Sequence, residues 1–235
     1  MDAAALDHAA SAETGRVVFK ALSRWSMAIL LLCLFLFLSA GTFAYWQAWV
    51  YVAILGLSSL SFIVYYLRVD PGLIAGRMKV REKEREQRRI QQFSLLLFVA
   101  AFVVPGLDRR YGWSAVPVGA VLAADVMILL GYVVFTRVMR ENRYASRVIE
   151  IQQGQRVIST GPYAIVRHPM YVAVLMIYVI GPVALGSWWG IAASVWLVPM
   201  LIARIRNEET VLMRELPGYA DYVEQTRYRL IPRFW

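Results

Sequence analysis

Apolar runs of membrane-spanning length recur along this chain and leave it very few folds. Ser26 to about Tyr45 and Ala48 to about Leu67 each approach the roughly 20 residues needed to cross hydrocarbon. Val116–Phe135 is a third run of this kind. Two more, Tyr171–Val183 and Trp188–Ala203, are broken by Gly181-Pro182 and Gly186, which read as the turn of a helical hairpin. Phe93–Leu107 is shorter, about 22 Å as a helix, and suits either a thinned bilayer or a re-entrant segment. Inside hydrocarbon every backbone N–H and C=O must be satisfied by the protein, and a helix does this within one segment. The expected fold is therefore all-α: a polytopic membrane helix bundle of about six transmembrane helices, five if 93–107 is re-entrant.

Composition agrees with a single membrane-embedded unit, since 59% of the 235 residues are hydrophobic. The net charge of +9 comes from basic residues lying between the apolar runs. Segments 1–26, 68–92, 136–170 and 204–235 hold 23 of the 25 Lys and Arg residues, leaving only Arg109 and Arg110 for the opposite side. That bias predicts cytoplasmic termini and reads the charge as a topology signal, with membrane lipids and not nucleic acid as neighbours. The acidic start, with Asp2, Asp7 and Glu13, argues against a secretory signal. One cysteine, Cys33, and two histidines, His8 and His168, exclude an internal disulfide and a Cys- or His-rich metal site.

Three regions follow from these runs. Residues 1–25 are a cytoplasmic N-terminal segment. Residues 26–136 hold the N-terminal transmembrane helices and a cytoplasmic helix at 77–92, where Glu82 with Arg85 and Glu84 with Arg88 alternate in sign at helical spacing. That helix reads as a solvated connector or as a headgroup-docking element. Residues 137–235 form the third region, built around the hairpin 170–203. Asp125 falls near the middle of an apolar run, where a carboxylate marks either a functional site or an inward helix contact.

Two polar clusters flank the hairpin. Gly161-Pro-Tyr-Ala-Ile-Val-Arg-His-Pro-Met-Tyr171 precedes it, and Arg204-Ile-Arg-Asn-Glu-Glu209 follows it. If 171–203 doubles back, both clusters return to one membrane face. Pro169 suits a helix's first turn, where its missing N–H is harmless. Gly161 admits close backbone approach. His168 and Tyr171 supply directed hydrogen bonds, and Glu208 or Glu209 suits ribose hydroxyls or a cationic amine. Arg167, Arg204 and Arg206 can fork onto a carboxylate or phosphate. Either cluster alone reads equally well as interfacial residues or an ion-pair stripe. Their placement at both ends of one hairpin favours a site.

Through Gly161-Pro-Tyr163, Arg167-His-Pro-Met-Tyr171, the hairpin and Glu208-Glu209, the chain resembles the isoprenylcysteine carboxyl methyltransferase family. Gly218-Tyr219-Ala-Asp-Tyr222 and Arg227-Tyr-Arg-Leu-Ile-Pro232 are similar to its bacterial branch. The resemblance covers roughly residues 137–235, and its motifs are shared with membrane phospholipid and some thiol methyltransferases. It implies a membrane enzyme that uses S-adenosylmethionine. By motif, His168, Tyr171 and Glu208 or Glu209 contact the cofactor, while Gly161, Tyr163 and Pro169 shape its pocket. Arg167 and Arg204, with Arg206 nearby, hold a substrate carboxylate. The implied acceptor is lipophilic or lipidated and enters from the bilayer, and the tail closes over the cofactor.

A carboxylate acceptor is already nucleophilic, whereas an amine or thiol must lose a proton, for which His168 is the nearby base. The activity that the resemblance implies is carboxyl O-methylation of an isoprenylcysteine-like molecule. Phospholipid N-methylation and thiol S-methylation are the alternatives. A sterol-reductase-like enzyme using NADPH would place Glu208-Glu209 unfavourably beside phosphates. A non-catalytic membrane protein would rest on Asp125 and the broken helices.

Overall fold

Each long apolar run is a helix: α1 (Ala3–Ala40), α2 (Trp46–Val69) and α5 (Val118–Glu141) are the clearest. The structure is a computed structural model that describes residues 3–77, 85–145 and 151–235, without the side chains of 3–14, 85–91, 93 and 94. Among the described residues, Gly15–Ala40, Trp46–Val69, Val118–Glu141 and Trp189–Glu215 are long and apolar enough to cross a membrane, and Pro169–Ala184 is a shorter apolar helix. No strand occurs among the described residues. The architecture is a polytopic membrane helix bundle.

Two boundaries differ from the sequence reading. The lead-in at 1–25 is helical from Ala3 and runs without a break into the first apolar segment. The polar stretch and the short apolar run at 93–107 belong to one 27-residue helix, α4 (Arg85–Tyr111), with Pro105 inside it. At 1.5 Å per residue α4 is about 40 Å long, enough to run the height of the bundle. Of the connector helix expected at 77–92, residues 78–84 lie outside the described residues. The short helix α3 (Pro71–Arg77) follows Asp70, whose Oδ1 accepts the Leu73 N–H at 3.1 Å as a side-chain cap. Leu73 and Ile74 of α3 pack with Ala21, Tyr66 and Met139, joining α1, α2 and α5 at this end.

The opposite end is tied together by a carboxylate. Asp108, 1% exposed in the last turn of α4, accepts the Ser114 N–H at 2.7 Å and the Ser114 hydroxyl at 2.6 Å. The Ser187 hydroxyl also donates to Asp108, and Ser187 Oγ accepts the Gly190 N–H at 2.9 Å. Nearby, the Tyr45 hydroxyl donates to the Leu185 carbonyl at 2.5 Å, and Arg109 Nη2 donates to the Ala44 carbonyl at 3.0 Å. Three chain reversals thus meet around α4, which reaches this end instead of turning back as a re-entrant segment would.

Lipid tails give helices no hydrophobic reason to associate, so close packing at small residues carries much of the attraction. A Cβ on Gly106 of α4 would lie 1.8 Å from Ser39 Oγ and 2.8 Å from the Leu36 carbonyl oxygen of α1. A Cβ on Gly190 would lie 2.6 Å from Pro182 Cβ and 2.8 Å from Pro105 Cγ. Asp125 is buried on α5, and neither of its oxygens has a hydrogen-bond partner among the described residues.

Gly190→Ala should force two rigid proline rings apart. The expected cost is about 1–3 kcal/mol, read as a lower thermal midpoint in detergent. Gly119→Ala, with nothing within 4 Å of its Cβ, should leave the midpoint unchanged or raise it.

Candidate functional site

The hairpin positions the site. Its outgoing limb is α6 (Pro169–Tyr178) followed by α7 (Gly181–Ala184). Pro182 has no N–H for the Tyr178 carbonyl, and the limb is irregular there. The returning limb is α8 (Trp189–Ser194) and then α9 (Leu197–Glu215). Because α9 continues well past Ala203, Arg204, Arg206, Glu208 and Glu209 are set on a rigid helix. A 3-10 turn at Gly161–Ala164 and an irregular stretch carry the chain into α6, where Pro169 is the first helical residue and is buried.

Glu209 is the junction of this region. Its Oε1 accepts Arg167 Nε at 2.7 Å and faces His168 Nε2 at 3.2 Å, and its Oε2 accepts Arg229 Nε at 2.7 Å. Arg167 and His168 are 5% and 4% exposed and Glu209 is 8% exposed, so the cluster is buried except on the side of Arg229. A carboxylate taken from water at this depth is tolerable only with its oxygens fully hydrogen-bonded. Arg167 does more than neutralise it. Its Nη1 donates to the Thr226 and Arg227 carbonyls at 2.8 and 2.9 Å, and its backbone N–H donates to the Tyr228 carbonyl at 2.8 Å. The His168 N–H donates to the Arg229 carbonyl at 2.9 Å. The 226–229 segment of the tail is therefore fastened directly to the start of the hairpin.

Beside it lies a second, half-buried polar set. The Tyr171 hydroxyl donates to Glu208 Oε2 at 2.6 Å and accepts from Arg204 Nε at 3.0 Å. No hydrogen bond to Glu208 Oε1 is present among the described residues, so this carboxylate keeps an open oxygen. An open groove of about 550 Å³ runs between α9 and the tail, lined by Arg206, Glu209, Thr210, Met213, Arg214, Val223 and Arg229. That size falls within the roughly 300–1,000 Å³ of small-molecule sites.

The tail supplies the floor. Gly218, at φ +81°, turns the chain into α10 (Tyr219–Gln225) through a left-handed conformation that favours glycine. Tyr219 and Tyr222 pack with Val138, Tyr163 and Leu216. The Tyr222 hydroxyl donates to the Tyr163 carbonyl at 2.7 Å, and Asn142 Nδ2 donates to the Tyr163 hydroxyl at 3.0 Å. Burial pushes the Tyr222 phenol up to about 12. Burial, then the charges of Glu209 and Glu208, push the Tyr219 phenol well up as well. Both rings stay neutral hydrogen-bonding groups near neutral pH.

The structure thus brings Arg167, His168 and Glu209 into direct contact, and Tyr171 into contact with Glu208 and Arg204. Arg206 faces the groove beside them. Tyr163 is walled in by the tail. Gly161, at φ +56°, makes its close approach to Glu141, where a Cβ would sit 3.0 Å from the carboxyl carbon. Arg167, expected as a clamp for a ligand carboxylate, has Nε and Nη1 engaged within the protein. Arg229 was missed: it stands in a quoted motif, but nothing in its spacing shows that the tail folds back onto Glu209. Among the described residues no group of three or more Cys, His, Asp or Glu side chains is arranged to hold a metal.

Glu209→Ala should strand the buried Arg167 guanidinium and cost about 3–5 kcal/mol. Arg229→Ala should cost about 1 kcal/mol or less, because that side chain is 34% exposed. Thermal midpoints in detergent and limited proteolysis of the tail check both. Equal effects from the two would contradict the geometry.

The profile of the phospholipid methyltransferase family matches residues 120–218. The matched stretch, fewer than half of the residues, runs from α5 to Gly218 and so includes the hairpin and both polar clusters. No curated protein matches the chain. Taken with the helical bundle, the match supports a membrane methyltransferase family for this integral membrane protein.

Proposed function

We propose that this protein is an S-adenosylmethionine-dependent methyltransferase acting on a lipophilic acceptor. The observation that carries the reading is the return of Glu208 and Glu209 to Arg167, His168 and Tyr171 at one end of the bundle, within the stretch similar to phospholipid methyltransferases. The residues present fit such a cofactor. Glu208 Oε1 is open to a hydrogen-bond donor, the Tyr219 hydroxyl and Asn207 Nδ2 are buried without partners among the described residues, and the adjoining groove has the right order of size. S-adenosylmethionine supplies a methyl group activated by the positive charge on its sulfur.

The chain's own groups then bind, orient and exclude water. Glu208 takes donors of the cofactor, with its second oxygen fixed by Tyr171. His168 and Glu209 form the buried wall, and Gly161, Tyr163 and Pro169 support it from behind. Arg206, exposed at the groove, takes the anionic group of the acceptor, with Arg204 held nearby by Tyr171. Arg167 acts as a positioning residue that fastens the tail. We take the acceptor to be the carboxylate of an isoprenylcysteine-like molecule, which needs no base. A phospholipid amine is the second reading, favoured by the family match. It requires a proton acceptor, and with His168 Nε2 donating to Glu209, Nδ1 is the nitrogen left to accept. The Lys and Arg distribution supports a cytoplasmic position for both termini and this site.

Equilibrium binding to detergent-solubilised protein should show S-adenosylmethionine bound and NADPH not. Glu208→Gln should weaken cofactor binding about tenfold. Arg206→Ala should raise the acceptor's apparent KM while leaving cofactor affinity unchanged. Methyl transfer to a farnesylcysteine analogue, compared with phosphatidylethanolamine vesicles, separates the two acceptors. NADPH binding without S-adenosylmethionine binding would overturn the proposal.

A further inference from the structure

Three tyrosines, Tyr163 before the hairpin and Tyr219 and Tyr222 of α10, pack in one cluster. Two of their hydroxyls are bonded within the protein: Tyr163 accepts from Asn142 Nδ2 at 3.0 Å, and Tyr222 donates to the Tyr163 carbonyl at 2.7 Å. The Tyr219 hydroxyl has no partner among the described residues, although the residue is only 4% exposed. A buried hydroxyl left unpaired is uncommon enough in folded proteins to need a cause. This one is not free to swing away. The Tyr219 N–H donates to the Leu216 carbonyl at 3.2 Å, and its ring lies 5.8 Å from that of Tyr222.

The Glu209 and Glu208 carboxylates both act on the buried Tyr219 phenol, and the Arg167 guanidinium opposes them. Glu209 already faces three donors, whereas Glu208 Oε1 is open. A phenol that can both give and take a hydrogen bond, beside a carboxylate that can only take one, suits a ligand group that donates. We infer that the Tyr219 hydroxyl is a ligand-binding group of this site, sharing with Glu208 a hydrogen-bond-donating group of the ligand, a ribose hydroxyl or a primary ammonium. Glu209, by contrast, is the strut that holds tail and hairpin together. Tyr219 lies one residue beyond the stretch matched by the family profile. The inference rests on the S-adenosylmethionine reading and adds to it the residue and the ligand chemistry.

The test compares the full-length wild-type protein with Tyr219→Phe in detergent. Titration calorimetry is run with S-adenosylhomocysteine and with 5′-methylthioadenosine, and thermal midpoints are taken without ligand. Removing an unpaired buried hydroxyl should leave the ligand-free midpoint equal or higher. Affinity for S-adenosylhomocysteine should fall about tenfold. An equal fall for 5′-methylthioadenosine, which keeps the ribose and lacks the ammonium, identifies the ribose hydroxyls. A fall confined to S-adenosylhomocysteine identifies the ammonium. Wild-type affinity in Tyr219→Phe, with or without a lower midpoint, overturns this inference and leaves the cofactor reading standing. A wild-type protein that binds neither ligand overturns both.

Discussion

The structure around the hairpin depends on one carboxylate. Glu209 sits between two guanidinium groups and an imidazole, buried and with both oxygens engaged. Removing such a group from water is expensive, and the attraction to Arg167 and Arg229 offsets this only because the geometry is close and every acceptor is used. The arrangement spans three parts of the chain. Arg167 and His168 lie before the hairpin, Glu209 after it, and Arg229 in the tail. Arg167 passes the constraint onward to the backbone of 226–228. Glu208, one residue away and about 100° around α9, is thereby aimed at Tyr171 and keeps an oxygen for other use.

That junction is useful only because the far end of the bundle is also fixed. Asp108 holds the hairpin turn through Ser187 and the loop after α4 through Ser114. Between the two ends, glycines and prolines let α4 meet α1, α7 and α8 at close range. The hairpin is therefore held at its turn by hydrogen bonds, along its length by close packing, and at its mouth by ion pairs. The polar groups at the mouth of the hairpin are thus placed by rigid helices.

Much of this was legible in the sequence where the chemistry is periodic or costly. The apolar runs announced the helices, because hydrocarbon permits little else. Gly181-Pro182 and Gly186 announced the turn, and polar groups on both sides of one hairpin announced their meeting. What stayed hidden depends on folding at a distance. The polar stretch before Phe93 and the apolar stretch after it looked like two elements, yet α4 is continuous, with Pro105 accommodated inside it. Nothing local to Asp108 predicts that Ser114 and Ser187 converge on it. Arg229 and Tyr219 carry no spacing signal at all. Their positions follow from Gly218 turning the tail back under α9. Arg167 was legible as one of the polar groups that meet at the mouth of the hairpin, but its direction, inward to the tail, was not.

The central claim is that a ligand sees 163–171, 204–209 and 219–229 as one surface. Amide hydrogen exchange of the detergent-solubilised protein, with and without S-adenosylhomocysteine, measures this directly. The account predicts that all three segments slow together over a single saturation curve. Protection confined to one segment, or slowing at different ligand concentrations, would contradict it.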